Sequence, residues 1–171
     1  MKGYGQRRTL RLGGLTPQYN FIINPYSEFR FARCPICNVK SGQRKVPLLI
    51  HIAPMHLVAL NYTCRFCANC DLLIAHKAEV EHLLRNLFID LDPAAIGNDD
   101  MVLGTVEKGA WREGLIRPKS PAETFPHVRA FKRQYADLRM TRGGWYPRDK
   151  EPPTMKPPES REWVKPNRQS P

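Results

Sequence analysis

Two Cys-x-x-Cys pairs, Cys34-Pro-Ile-Cys37 and Cys67-Ala-Asn-Cys70, fall within one short span of this chain, and a fifth cysteine, Cys64, precedes the second pair by three residues. Two cysteines separated by two residues present both sulfurs from one tight turn, and two such turns facing each other close a tetrahedral shell around zinc. Five is an odd number, so the spacing alone leaves two choices for the second pair: Cys64 with Cys67, or Cys67 with Cys70. The residue after the second cysteine of such a turn tends to a left-handed backbone, which Asn and Asp tolerate and Ala does not. Asn38 follows Cys37 and Asp71 follows Cys70, whereas Ala68 follows Cys67. The expected ligands are therefore Cys34, Cys37, Cys67 and Cys70, with Zn2+ as the cofactor and Cys64 left over.

Around the cysteines the pattern is rich in strands. "KVPLLIHI" (45–52) and "HLVALNYT" (56–63) read as a hairpin about "APM", with Pro47 placing the first run at a sheet edge. "DLLIAH" (71–76) reads as a third strand and "MVLGTV" (101–106) as a fourth. Val80, Leu83, Leu84, Leu87 and Phe88 recur with the helical period, so an amphipathic helix is predicted over 78–90, stopped at Pro93. "KGAWREGLIRP" reads as a short helical turn closing this unit.

"CPIC" before a hairpin and "CANC" before a short strand resemble the two knuckles of a zinc ribbon, a three-stranded fold whose knuckles face each other across one metal. The resemblance covers residues 34–76, and within it "CRFCANCDLLIAH" is similar to uncharacterised bacterial zinc-ribbon proteins. Asn38 and Asp71 stand where ribbons often carry Gly, and Cys64 adds a third cysteine to the second cluster. The run of cysteines at 64, 67 and 70 also begins like an iron–sulfur motif, but position 74, where the next ligand belongs, is Ile. The expected fold class is α+β: a small zinc-ribbon-like antiparallel sheet with one packed amphipathic helix and extended basic N- and C-terminal arms.

Charge and proline divide the chain into three. Residues 1–33 are a basic N-terminal extension expected to pack on the core as loop or edge strand, 34–117 the α+β core, and 118–171 a Pro-rich basic tail. Ten of the sixteen prolines lie in that tail, which argues against regular structure there. One stretch is an exception: Val128, Phe131, Tyr135 and Leu138 share a helical face, so a short helix is predicted within 122–140.

The net charge of +11 comes from the two arms, while 34–105 is nearly neutral. Basic arms carrying Tyr4, Trp145, Tyr146 and Trp163 among their charges suit phosphate neutralisation and base stacking. The expected partner is nucleic acid or a nucleoprotein complex; the competing reading is a protein–protein module, with an acidic protein as partner, or an accessory enzyme subunit with a purely structural zinc. No apolar run is long enough for a membrane span, and no apolar h-region follows Met1, so a cytoplasmic, reducing location is expected. Four cysteines would leave the metal no open position, and His51, His56, His76, His82 and His127 fall in no catalytic spacing. A non-enzymatic adaptor is the expectation.

Overall fold

The computed structural model describes residues 12–136, 138–158 and 163–164. Tyr4 and the rest of the first eleven residues lie outside them. A seven-stranded sheet is formed by β1 (Asn20–Asn24), β2 (Gly42–Ile52), β3 (His56–Cys67), β4 (Leu72–His76), β5 (Asp100–Val106), β6 (Val128–Ala130) and β7 (Arg133–Tyr135). Its order is β6-β5-β2-β3-β4-β1-β7, and only β1 runs parallel to its neighbours, β4 and β7. Three α-helices lie among the described residues, α1 (Lys77–Leu91), α2 (Lys108–Ile116) and α3 (Pro121–Thr124). Strands β8 (Met140–Thr141) and β9 (Thr154–Met155) pair as a separate ribbon. The chain is thus α+β, built on a curled sheet. Among the described residues no helix is long and apolar enough to cross a membrane.

The hairpin predicted about "APM" is β2–β3, continuous from Gly42 opposite Phe66 to Ile52 opposite His56. β2 is nevertheless not an edge strand. β5 pairs its other side from Leu48 onward, and Pro47 sits one residue before that pairing begins, where its missing N–H removes no ladder bond. β4 follows Cys70 as expected, and β5 and α2 fall where their patterns place them.

The N-terminal extension is more than a lead-in. β1 is an interior strand, hydrogen-bonded to β4 over five register pairs and to β7 over three. The predicted helix within 122–140 is also corrected. Helix persists only through α3, which a Ser120–Glu123 capping box starts, and one 3-10 turn over Phe125–His127. Beyond it the chain is extended: β6 pairs with β5 at one edge of the sheet, and β7, two residues later, pairs with β1 at the other. A single segment of the expected tail therefore joins both sheet edges, which is why the sheet curls.

Inside that curl lies the main core, in which Leu48, Ile50, Ile52, Leu73 and Phe21 pack against Val80, Leu84 and Phe88 of α1. Phe131, at the bend between β6 and β7, stacks on Phe21 with ring centroids 4.5 Å apart. Trp163 closes the far side against Phe88 and donates its indole N–H to the Asn98 carbonyl at 2.8 Å. The buried stripe of α1 is narrower than the pattern predicts: Glu81 is buried, while Leu83 and Leu87 are exposed. A second small core lies on the outer face under α2, from Leu49, Val106, Ala110 and Val128.

Candidate metal centre

Cys34 and Cys37 lie in the loop entering β2, Cys67 ends β3, and Cys70 sits in the turn before β4. The pairing of β2 with β3 places Gly42 opposite Phe66, so the first loop is carried to the end of the second. The four sulfurs of Cys34, Cys37, Cys67 and Cys70 lie within 4.8 Å of one another. In a tetrahedral zinc–thiolate shell the sulfurs stand about 3.8 Å apart, given a metal–sulfur length of about 2.3 Å. Cys37 and Cys67 are already at 3.5 Å. The four cysteines are positioned to bind one metal ion.

The local backbone explains why these four converge. Asn38 and Asp71 have φ of 62° and 50°, both left-handed, at the residue following each pair. The Asn38 N–H closes the first turn on the Cys34 carbonyl at 2.9 Å, and the Cys34 N–H bonds the Val39 carbonyl at 2.8 Å. The Ile36 N–H points at the Cys34 sulfur, 3.4 Å away, as N–H groups do toward a negative sulfur. The second turn is tied to β1: Asn20 donates its amide to the Cys70 carbonyl at 2.9 Å and its N–H to the Asp71 carbonyl at 2.7 Å. Lys132, in the bend between β6 and β7, holds the Asp71 carboxylate at 2.8 Å.

Cys34 and Cys67 are buried against Ile22, Phe31, Leu72 and Ile74, while Cys37 and Cys70 are partly exposed. With no cation present the sulfurs cannot all ionise. Cys37 falls below an ordinary thiol because the Val39 N–H stabilises its anion. Cys70 rises, first because it hydrogen-bonds Cys37 and then because it loses water. A divalent cation removes this conflict by letting every sulfur be a thiolate, as metal binding to cysteine requires.

Cys64 is elsewhere. It points into the main core, 1 % exposed, beside Tyr62 and Phe66, and burial alone pushes its thiol up to about 12. It stays a neutral, packed side chain.

One further property of this end of the molecule was hidden in the composition. Arg33 donates to the Asn38 carbonyl, Lys40 bridges to Arg33, and Arg44, Lys45 and Arg65 stand at the same end of the β2–β3 ribbon. Arg44 stacks on Phe66 with its guanidinium carbon 3.8 Å from the ring centre. At the opposite end, Asp92 meets His56 at 2.7 Å, Asp99 accepts from the Ala53 N–H, and Asp100 pairs opposite Ile52. Neutrality over 34–105 thus conceals a partial segregation: Lys40, Arg44, Lys45 and Arg65 stand at the cysteine end, where Asp71 is paired with Lys132, and Asp92, Asp99 and Asp100 stand by the distant hairpin turn. Its signal in the sequence is the order: four cations, Lys40, Arg44, Lys45 and Arg65, precede every acid of this span, and only Lys77 and Arg85 fall among the seven acids from Asp71 to Asp100. His76, absent from every motif, is buried at the start of α1 near this basic end.

Fold and site together define an α+β protein with four cysteines positioned to bind a metal ion at one end of a curled sheet. Compared with models of known families, with curated proteins and with solved structures, the chain matches none.

Proposed function

We propose that the four cysteines hold one structural zinc in a zinc-ribbon-like unit, and that the protein is a non-enzymatic adaptor binding nucleic acid or a nucleoprotein complex through its metal end. The ribbon reading is supported by the order of parts: a knuckle, the antiparallel β2–β3 pair, a second knuckle and the antiparallel β4. Zinc is favoured by the donor set, since four thiolates in a tetrahedron suit a d10 dication and leave no position for a substrate. A closed shell of this kind staples loops rather than performing chemistry.

The observation that carries the nucleic-acid reading is the segregation of charge. Arg33, Lys40, Lys45 and Arg65 stand at the end of the ribbon that carries the cysteines, where Asp71 is already paired with Lys132, and Asp92, Asp99 and Asp100 lie at the other end of an eleven-residue strand, roughly 35 Å away at about 3.3 Å per residue. Such a field turns the metal end toward a polyanion, and phosphate contacts there would release counterions. The basic tail adds charge to the same partner. A labelled oligonucleotide titrated at several salt concentrations tests this: log affinity should fall linearly and steeply with log salt, and absent or salt-indifferent binding would contradict it.

A protein partner is favoured by a different observation. Leu83, Leu87 and Leu91 are exposed at four-residue intervals on α1, an apolar stripe outside the core. A contact there would be nearly insensitive to salt.

A further inference from the structure

Strands β3 and β4 part beside the metal centre. They pair only over Arg65–Cys67 and Leu72–Ile74, and beyond that the His76 N–H finds the Tyr62 hydroxyl at 3.2 Å in place of a strand carbonyl. Tyr62 in turn donates to Glu79 at 2.6 Å, and Arg30 pairs with the other oxygen of the same carboxylate. The gap between the strands is a cavity of about 240 Å³. Phe31 and Ile74 give it an apolar wall, Gln43, Thr63 and Arg65 a polar rim, and His76 and Glu79 one end.

Two of these groups lack what their chemistry calls for. His76 is 8 % exposed, and its Nε2 lies 3.1 Å from the Ser27 carbonyl, which can only accept. Nε2 therefore carries the proton and Nδ1 is an acceptor, buried and without a partner. Buried acceptors are rarely left in that state. Arg65, on the rim, has no carboxylate partner among the described residues. Glu79 differs from both: burial alone would raise it, but the hydrogen bonds from Arg30 and Tyr62 outweigh that and keep it ionised and occupied. The cavity thus suits a flat ligand that lies along the apolar wall toward the His76 end and carries negative charge at the rim.

Resting on the nucleic-acid reading above, we propose that this cavity takes a single unstacked base of a nucleic-acid strand, its edge toward the His76 end and its adjoining phosphate on Arg65. A base held in a duplex cannot enter, since its faces are stacked and its N–H groups paired. The consequence is preference for single strands, with the apolar wall supplying a contact that any base can use.

Fluorescence anisotropy with a short labelled single strand and with its duplex tests the proposal, using the full chain with its metal. Thr63 is exposed on β3, so Thr63→Phe fills the cavity mouth without altering charge. It should weaken single-strand binding about tenfold, the order expected for loss of one base contact, and leave duplex binding unchanged. Arg65→Gln should weaken both probes. In the wild-type protein the nitrogen-15 resonance of His76 Nδ1 should move on addition of the single strand and not of the duplex, a readout that needs no variant. Unchanged single-strand binding by Thr63→Phe together with a static His76 resonance overturns the cavity proposal and leaves the nucleic-acid reading standing. Failure of the wild-type protein to bind either probe overturns both.

Discussion

Two residues beside the four-cysteine cluster decide which cysteines converge in it. Asn38 and Asp71 take the left-handed backbone that closes each knuckle, and a residue with a larger conformational penalty would resist it. Asn38→Ala should cost about 1–2 kcal/mol of stability, the usual penalty for this backbone in a residue with no compensating side chain, and chemical denaturation measures it. Cys64 is the complementary case. Cys64→Ser should keep the metal stoichiometry while destabilising the core by about 1–3 kcal/mol, because a hydroxyl replaces a buried thiol; serine at Cys34, Cys37, Cys67 or Cys70 should lose the metal. With its thiol held near 12 by burial, Cys64 stays protonated at neutral and mildly alkaline pH. It should resist alkylation in the folded protein and react once denaturant is added. This much of the site was legible in the sequence, because the turn residue is a local signal that needs no knowledge of distant strands.

At the scale of elements, local signals served where partners are adjacent in the chain and failed where they are not. The β2–β3 hairpin, β4 and α1 follow one another and were read from alternation, period and Pro93. β1 finds β4 some fifty positions later, so nothing in "NFIIN" announces an interior parallel strand. The segment 128–135 misled for a physical reason. Its two strands bend at Phe131–Lys132, and the bend turns the two-residue alternation into the three- and four-residue intervals of Val128, Phe131 and Tyr135, which imitate a helix. The bend lets one segment pair with both sheet edges, so a cut at residue 117 removes two strands of the seven-stranded sheet together with the buried Val128 and Phe131. A chain ending there should lose cooperative thermal unfolding. Gly104 offers a finer test of the same closure: a Cβ there would lie 2.2 Å from the Arg129 carbonyl oxygen across the β5–β6 pair. Gly104→Ala should therefore force the strands apart and destabilise the fold by about 1–3 kcal/mol, as overpacking does, whereas Gly109→Ala, with open space around it, should not.

For the whole molecule, the near-neutral composition of the central residues was the least informative feature and their arrangement the most. The excess of cations by the cysteines, and Asp92, Asp99 and Asp100 by the distant turn, give the fold an electrical polarity that a sum of charges cannot reveal. Lys45→Gln and Arg65→Gln should each lower the salt slope of oligonucleotide binding by about one unit at most, as expected for one lost phosphate contact, whereas Asp99→Asn at the acidic end should leave the slope unchanged. All of this presumes that the cysteine end is a rigid, metal-closed platform. Metal analysis of the purified protein tests that directly: the account predicts one zinc per chain, lost in each of the four ligand variants and kept in Cys64→Ser. A metal-free protein with unaltered stability, or a coloured protein carrying iron, would contradict it.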